Sequence, residues 1–373
     1  MNIVITNDAQ NIAGGENYVL YLAEGLREKG HNIYIAPLIN SQLAKASNDS
    51  GFSVLEVPYA HGGREFKAVK VLYDQIKQKK IDVIHSNSNF DRTIAAAAGK
   101  FAGAINFATI HSCMSISQNI THKFRNKYLI DRFTPVGFST KKIMIEKDKI
   151  PEDKISVVHI GLPENKFLFS NEERSRIRSE FGLDESHLLI GTVSRLVEFK
   201  GHTYLIKAFK KLSEIFNHLR LLIVGEGELK EHLQKEAAVL GISDKIIFTG
   251  NRNDISGILS ALDIYTQTSK DFGGETFPVS ILEAMSVGLS LVVSDVGDIR
   301  YMTESGNGFL TEPENIDQII DSMKPLIESK KLRSDFGKAS RRIFLEKFTL
   351  QKMVDNIERL YFFEMEKRRS YNN

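Results

Sequence analysis

The chain has 373 residues, a length that calls for two domains or one large one and leaves ample room for a core. Hydrophobic residues make up 42% and charged residues 26%, with 8 Pro, which excludes a disordered or collagenous chain, and the single cysteine, Cys113, excludes an internal disulfide and a cysteine-based zinc site. The net charge of +2 argues against a broad nucleic-acid-binding surface, and no apolar run approaches the ~18 residues of a membrane span, so a reducing, cytoplasmic location without a leader is expected.

In chain order, the pattern opens on a β-branched run at 3–5, a stretch of helical period at 16–29 and a second apolar run at 33–36. Further strands are predicted at 54–57, 83–85, 107–110 and 157–160, with amphipathic segments such as 67–79 between them. Such βα alternation folds into a parallel sheet flanked by helices. Ala13-Gly-Gly-Glu-Asn17 follows the first strand, where glycines let backbone amides approach a phosphate closely. His111 ends the strand that starts at Asn106, a position facing ligands outside the carboxyl ends of parallel strands. His85, ending the strand before it, reads as a packing or acceptor-binding group.

Charge is unevenly spread. Residues 1–170 hold 21 Lys+Arg against 16 Asp+Glu, a net +5, and the remainder 28 against 31, a net −3. Residues 92–149 carry ten basic side chains, among them Arg92, Arg125 and Arg132, against Asp131, Glu146 and Asp148. This stretch reads as a solvated lysine-rich face, or as a site for an anionic partner: a polyprenyl-diphosphate-linked sugar, a phosphorylated small acceptor or an anionic membrane surface.

A break near Gly161-Leu-Pro163 is followed by a helix at 172–181 and strands at 189–193, 221–224, 246–248, 264–266 and 291–293. Two Rossmann-like, doubly wound α/β domains facing a central cleft are expected, 1–163 and 164–348, with a helix in 349–373 packing across them. Gly191-Thr-Val-Ser-Arg195-Leu-Val-Glu-Phe-Lys200-Gly201 sets two cations after a strand, where they can bracket a diphosphate. Gly273-Gly-Glu275-Thr-Phe-Pro-Val-Ser-Ile-Leu-Glu283-Ala-Met-Ser-Val-Gly288 follows another. A helix starting near Pro278 would leave Glu275 in the loop and Glu283 in its second turn, so both can face one ligand. Asp-x-Asp, a metal-binding device, occurs nowhere in the chain.

This last segment, with the run from Leu282 to Gly297, resembles the E-x7-E signature of family 4 retaining glycosyltransferases of the GT-B fold. The loops at 13–17 and 191–201, with Val224-Gly-Glu-Gly-Glu-Leu229 and Phe248-Thr-Gly-Asn-Arg252, are similar to the same family along nearly the whole chain. The resemblance implies transfer of a sugar from a nucleotide-diphosphate sugar, UDP being the commonest, to a hydroxyl of a sugar or lipid-linked sugar acceptor. It implies retention of configuration, no metal or other cofactor, and work in cell-surface polysaccharide or glycolipid synthesis, peripheral on the inner face of the membrane.

The resemblance also assigns residues. His111 and Glu275 would meet the donor sugar, while Arg195 and Lys200 stabilise the leaving diphosphate. Gly14, Gly15 and Glu16 would lie near the donor phosphate and acceptor, Arg252 by the base, Thr276, Phe277 and Val279 beside the donor, and Glu283 on the ribose. One departure is Pro278, which stands where the family has glycine and offers no N–H. Two rival readings stay open: a nucleotide-sugar epimerase of the same fold, and a non-catalytic nucleotide-sugar-binding partner subunit.

Overall fold

The computed structural model describes residues 1–12, 14–59, 65–117, 119–272, 274–303 and 306–372. Ala13 and Gly273, which open two of the segments above, lie outside them. The chain divides into two compact units, 1–161 with 350–373, and 162–349.

The first unit is built on six parallel strands, β1 (Asn2–Asn7), β2 (Asn32–Pro37), β3 (Ser53–Val54), β4 (Val83–Ser86), β5 (Ile105–Ile110) and β6 (Arg132–Pro135), in the order β3-β2-β1-β4-β5-β6. Ile3, Val4 and Ile5 are wholly buried, as expected of a parallel strand covered on both faces. The second unit repeats the winding with β7 (Leu188–Val193), β8 (Leu219–Val224), β9 (Ile246–Gly250), β10 (Ile264–Gln267), β11 (Ser290–Ser294) and β12 (Gly308–Thr311), in the order β12-β11-β10-β7-β8-β9. Strand order reverses between β1 and β4 and between β7 and β10, which is where such sheets open a crevice for ligands.

Residues 157–160 are not a strand, contrary to expectation. They continue a segment that runs beside β6 and donates two backbone bonds to it, Ser156 N to Phe133 O at 3.0 Å and Val158 N to Pro135 O at 3.1 Å. Pro135 has no N–H with which to return a bond, so no regular ladder forms, while the burial of Val158 and Ile160 produces the apolar pattern.

The terminal helix, Leu350–Asn372, belongs to the first unit. Its buried face is Met353, Val354, Ile357, Tyr361 and Glu364. A methyl group at Gly25 would come within 2.4 Å of Val354, so this glycine lets the helix Gly14–Glu28 and the terminal helix touch. The Tyr361 hydroxyl lies 2.6 Å from Nδ1 of the buried His85, whose Nε2 is 2.7 Å from Thr109 Oγ1. Burial pushes the His85 pKa down to about 3, and with both nitrogens engaged it is a packing group. No helix among the described residues is long and apolar enough to cross a membrane.

Candidate active site

The carboxyl ends of the second sheet are a set of loops bonded to one another. Ser194 N donates to Val224 O (3.0 Å), Leu196 N to Glu226 O (2.9 Å), and Lys270 N to Phe199 O (2.8 Å). Glycine makes the closest approach possible: Gly201 lies at φ 67° and a Cβ there would stand 2.0 Å from Thr268 O. This fixes the turn that ends in Lys200.

Lys200 Nζ lies 2.5 Å from Glu275 Oε2, and the two side chains are 11% and 10% exposed. The same oxygen accepts from Gln267 Nε2 and Ser269 Oγ, both at 3.1 Å. Gln267 and Ser269, which sequence reasoning missed, thus aim Glu275; the available signal was a glutamine closing an otherwise apolar strand. The Glu275 loop is clamped by Asp298 N bonding to Thr276 O (2.9 Å) and by Gly297 at φ 56°, where a Cβ would meet Glu275 O at 2.3 Å.

A helix does begin where predicted, Val279–Val287 with Pro278 as N-cap, and Glu283 stands in its second turn. Burial pushes the Glu283 pKa up to about 7, an effect that the nearby Lys166 charge partly offsets. Glu275 and Glu283 both lie within electrostatic reach of the buried Tyr265 on β10. Arg195 is exposed, with Phe199 beneath its guanidinium at 5.9 Å and no ion pair among the described residues. A free cation and a paired one therefore share the loop after β7.

Other assigned residues are placed differently. The side chains of Thr276 and Phe277 are buried, Phe277 against Phe348 at 5.4 Å, so the backbone is what they can offer a ligand, whereas Val279 is half-buried. Arg252 binds Glu180 (2.6 Å) and Asp254 (2.7 Å) in a network that also holds Arg176, and makes no bond to the Lys200–Glu275 cluster among the described residues. A cavity of about 550 Å³, lined by Arg174, His218 and Asp263, lies at the amino ends of the second sheet's strands, away from these carboxyl-end loops.

In the first unit, His111 follows β5 with the edge of Tyr18 against it at 4.8 Å. Its Nε2 is buried without a hydrogen-bond partner, and burial followed by the Arg92 charge lowers its pKa to about 4. It is therefore neutral at pH 7, with a ring nitrogen free for a hydroxyl. Glu16, in the first turn of its helix, accepts from Asn7 Nδ2 at the end of β1 (3.2 Å). Gly14 and Gly15 begin that helix, and a Cβ at Gly15 would meet nothing within 4 Å, so packing among the described residues does not require glycine there.

Comparison with known proteins bears on the family and the fold. The family model described as Glycosyltransferase Family 4 matches residues 12–166, and that described as Glycosyl transferases group 1 matches residues 173–343. A crystal structure of a glycosyltransferase from Rickettsia africae superposes with a TM-score of 0.86 at 21% identity, over 96% of this chain and 97% of that one. Anabaena Alr3699/HepE in complex with UDP-glucose superposes at 0.84 with 19% identity, over 96% and 99%. Among sequences, the chain is 26% identical over 311 residues, 80% of its length and 79% of the relative's, to the UDP-Gal:alpha-D-GlcNAc-diphosphoundecaprenol alpha-1,3-galactosyltransferase of Escherichia coli. Two parallel six-stranded sheets in this order have the GT-B fold, and the two family models make the chain a glycosyltransferase. Within that class the chain belongs to the group 1/family 4 type.

Proposed function

We propose that the protein is a retaining, metal-independent glycosyltransferase that moves a sugar from a UDP-sugar to a hydroxyl of a sugar or glycolipid acceptor. The observation that carries this reading is the Lys200–Glu275 pair beside the unpaired Arg195 at the carboxyl ends of β7 and β10. When a donor binds, its diphosphate takes Lys200 and Arg195, and Glu275, released from Lys200 but still aimed by Gln267 and Ser269, turns to the sugar hydroxyls. The bond from the anomeric carbon to the diphosphate oxygen breaks as the acceptor oxygen bonds on the same face, and the acceptor proton passes to a donor phosphate oxygen. Two cations meet the charge growing on the leaving group, which is the work a metal ion does elsewhere. Within the first unit, His111 is a neutral hydrogen-bonding group for a substrate hydroxyl. The UDP-glucose bound by the Anabaena protein and the UDP-galactose and lipid-diphosphate in the Escherichia coli relative's name support these classes of donor and acceptor.

Binding of UDP-glucose, followed by calorimetry and thermal shift, tests the donor half. A ligand that binds only the folded state raises the melting temperature by mass action. The carboxylate of Glu283, when ionised, accepts both ribose hydroxyls, so affinity rises several-fold from about pH 6 to about pH 8, as expected for a pKa near 7. Glu283→Gln flattens that rise. A pH-independent affinity in the parent, or the same rise in Glu283→Gln, contradicts the placement of Glu283 on the ribose.

A further inference from the structure

The basic stretch at 92–149 is not one surface. Lys100, Lys123, Lys127, Lys142, Lys147 and Lys149 are exposed, while Arg92, Arg125 and Arg132 are 2%, 3% and 6% exposed. A buried guanidinium is costly unless its charge and its N–H groups are met. Arg132 is met by Glu364 at 2.6 Å. Arg125 spends its fork on neutral acceptors, Asn126 Oδ1 (2.9 Å), Thr93 Oγ1 (2.8 Å) and Ile116 O (3.1 Å), and has no carboxylate among the described residues. Arg92 makes no hydrogen bond or ion pair among them, and its Nε is shut from solvent without a partner.

Unmet hydrogen-bonding atoms gather around it. Besides His111 Nε2, His122 Nδ1 is buried without a partner, and the Arg92 charge depresses the pKa of His111, His122 and Arg125 alike, which marks them as its neighbours. Asp8, Asp91 and Asp148 lie within reach of the same charge but are turned to other donors. Asp91 takes Thr6 Oγ1 (2.6 Å), Asn87 N (3.1 Å) and Ser88 N (3.0 Å); Asp148 takes Ser115 Oγ (2.5 Å), Ile116 N (3.0 Å) and Ser117 N (3.1 Å); Asp8 takes Ser88 Oγ. Arg92 is the second residue of the twelve-residue helix Asp91–Ala102, just beyond the end of β4, where the helix N-terminus adds partial positive charge. Planar guanidinium forks are suited to phosphate oxygens.

We propose that Arg92, with Arg125, His111 and His122 within electrostatic reach, is a subsite of the first unit for a phosphate group carried by the acceptor. Its place on the acceptor side rests on the glycosyltransferase reading; the subsite itself rests on the unmet arginine. The phosphate can come from a soluble phosphorylated acceptor or from a lipid headgroup, and the exposed Ile120, Phe124 and Tyr128 beside Lys123 and Lys127 lie on the same turns as Arg125.

Thermal shift and calorimetry on the full chain, with glycerol 3-phosphate, with phosphatidic acid in phosphatidylcholine vesicles and with phosphatidylcholine vesicles alone, test this. The experiments are done with UDP-glucose already bound, so that the diphosphate site is filled. Parent protein is expected to bind one of the phosphate probes, and Arg92→Met to weaken it by about tenfold or more. Arg92→Lys, which keeps the charge without the fork, supplies the binding readout should Arg92→Met fold poorly, and is expected to weaken the same probe.

Binding of glycerol 3-phosphate lost in the variants identifies a soluble source, and phosphatidic-acid binding alone, lost in them, a lipid source. Absence of binding to either probe, or vesicle binding that survives both variants, overturns the proposal, the latter assigning the effect to the surface lysines. UDP-glucose is also titrated alone, and Arg92-dependent binding of a phosphate probe by a protein that shows no UDP-glucose binding in that titration would leave the subsite standing and the donor reading refuted.

Discussion

Arg195→Ala and Lys200→Ala each lower kcat/KM by about 10²–10³-fold, the loss expected when one preorganised donor to a developing charge is removed. Both effects fall mainly on kcat, because the diphosphate gains most of its charge as the sugar leaves. Lys200→Ala leaves Glu275 with Gln267 and Ser269 as donors, so the carboxylate is not orphaned and the second unit stays folded. Glu275→Gln keeps the shape of the loop and loses the charge, and its effect on rate should not add to that of Lys200→Ala, since the two side chains touch. Steady-state kinetics of the three single variants and of the Lys200→Ala/Glu275→Gln double variant check this. Near-parental turnover in Arg195→Ala or Lys200→Ala would refute the assignment.

Loss of Glu364 has the largest expected effect on stability. The side chains of Arg132 and Glu364 are 7% and 6% exposed, Arg132 Nε donates to Glu364 Oε1 at 2.7 Å, and Arg132 Nη1 reaches Ser156 Oγ at 2.8 Å. Glu364→Ala leaves the guanidinium buried with one neutral partner, a change of about 3–5 kcal/mol. In a unit of this size that lowers the melting temperature by roughly 6–20 °C. Differential scanning calorimetry should show the loss in the first unit's transition, with the second unit's transition in place. Arg132→Met combined with Glu364→Leu should recover most of it, because two apolar groups bury without an unpaired charge. A loss under about 1 kcal/mol in Glu364→Ala, the range of exposed ion pairs, would contradict the role given to this pair.

The alternation of apolar runs and helical stretches was enough to read the two parallel sheets from the chain, because strands buried on both faces leave β-branched blocks such as Ile3-Val-Ile5. The sixth strand of each sheet escaped. Arg132–Pro135 and Gly308–Thr311 are four residues long and mix charged, polar, glycine or proline residues into the run. Conversely, 157–160 carried the strand pattern because Val158 and Ile160 are buried, although no ladder forms there.

At the candidate site, spacing placed Glu275 before a helix and Glu283 within it. It could not reveal that Glu275 already holds Lys200, since that contact joins residues 75 positions apart through the packing of two strand-end loops. Nor could it separate Arg252, tied to Glu180 and Asp254, from a cation free for a ligand. A charge count treats every basic side chain as solvated. Burial of Arg92 and Arg125 beneath an exposed set of lysines depends on where the 91–102 helix and the 120–129 turns pack, which no local pattern encodes.

The most direct test of the account is the anomeric configuration of the product. Purified protein without added metal is incubated with α-linked UDP-sugars and a panel of sugar, phosphorylated and lipid-diphosphate acceptors, with UDP release followed and the new linkage read by NMR. Acceptor-dependent UDP release and an α-linked product are predicted. A β-linked product, epimerised donor without UDP release, or binding without turnover under any pairing would contradict it.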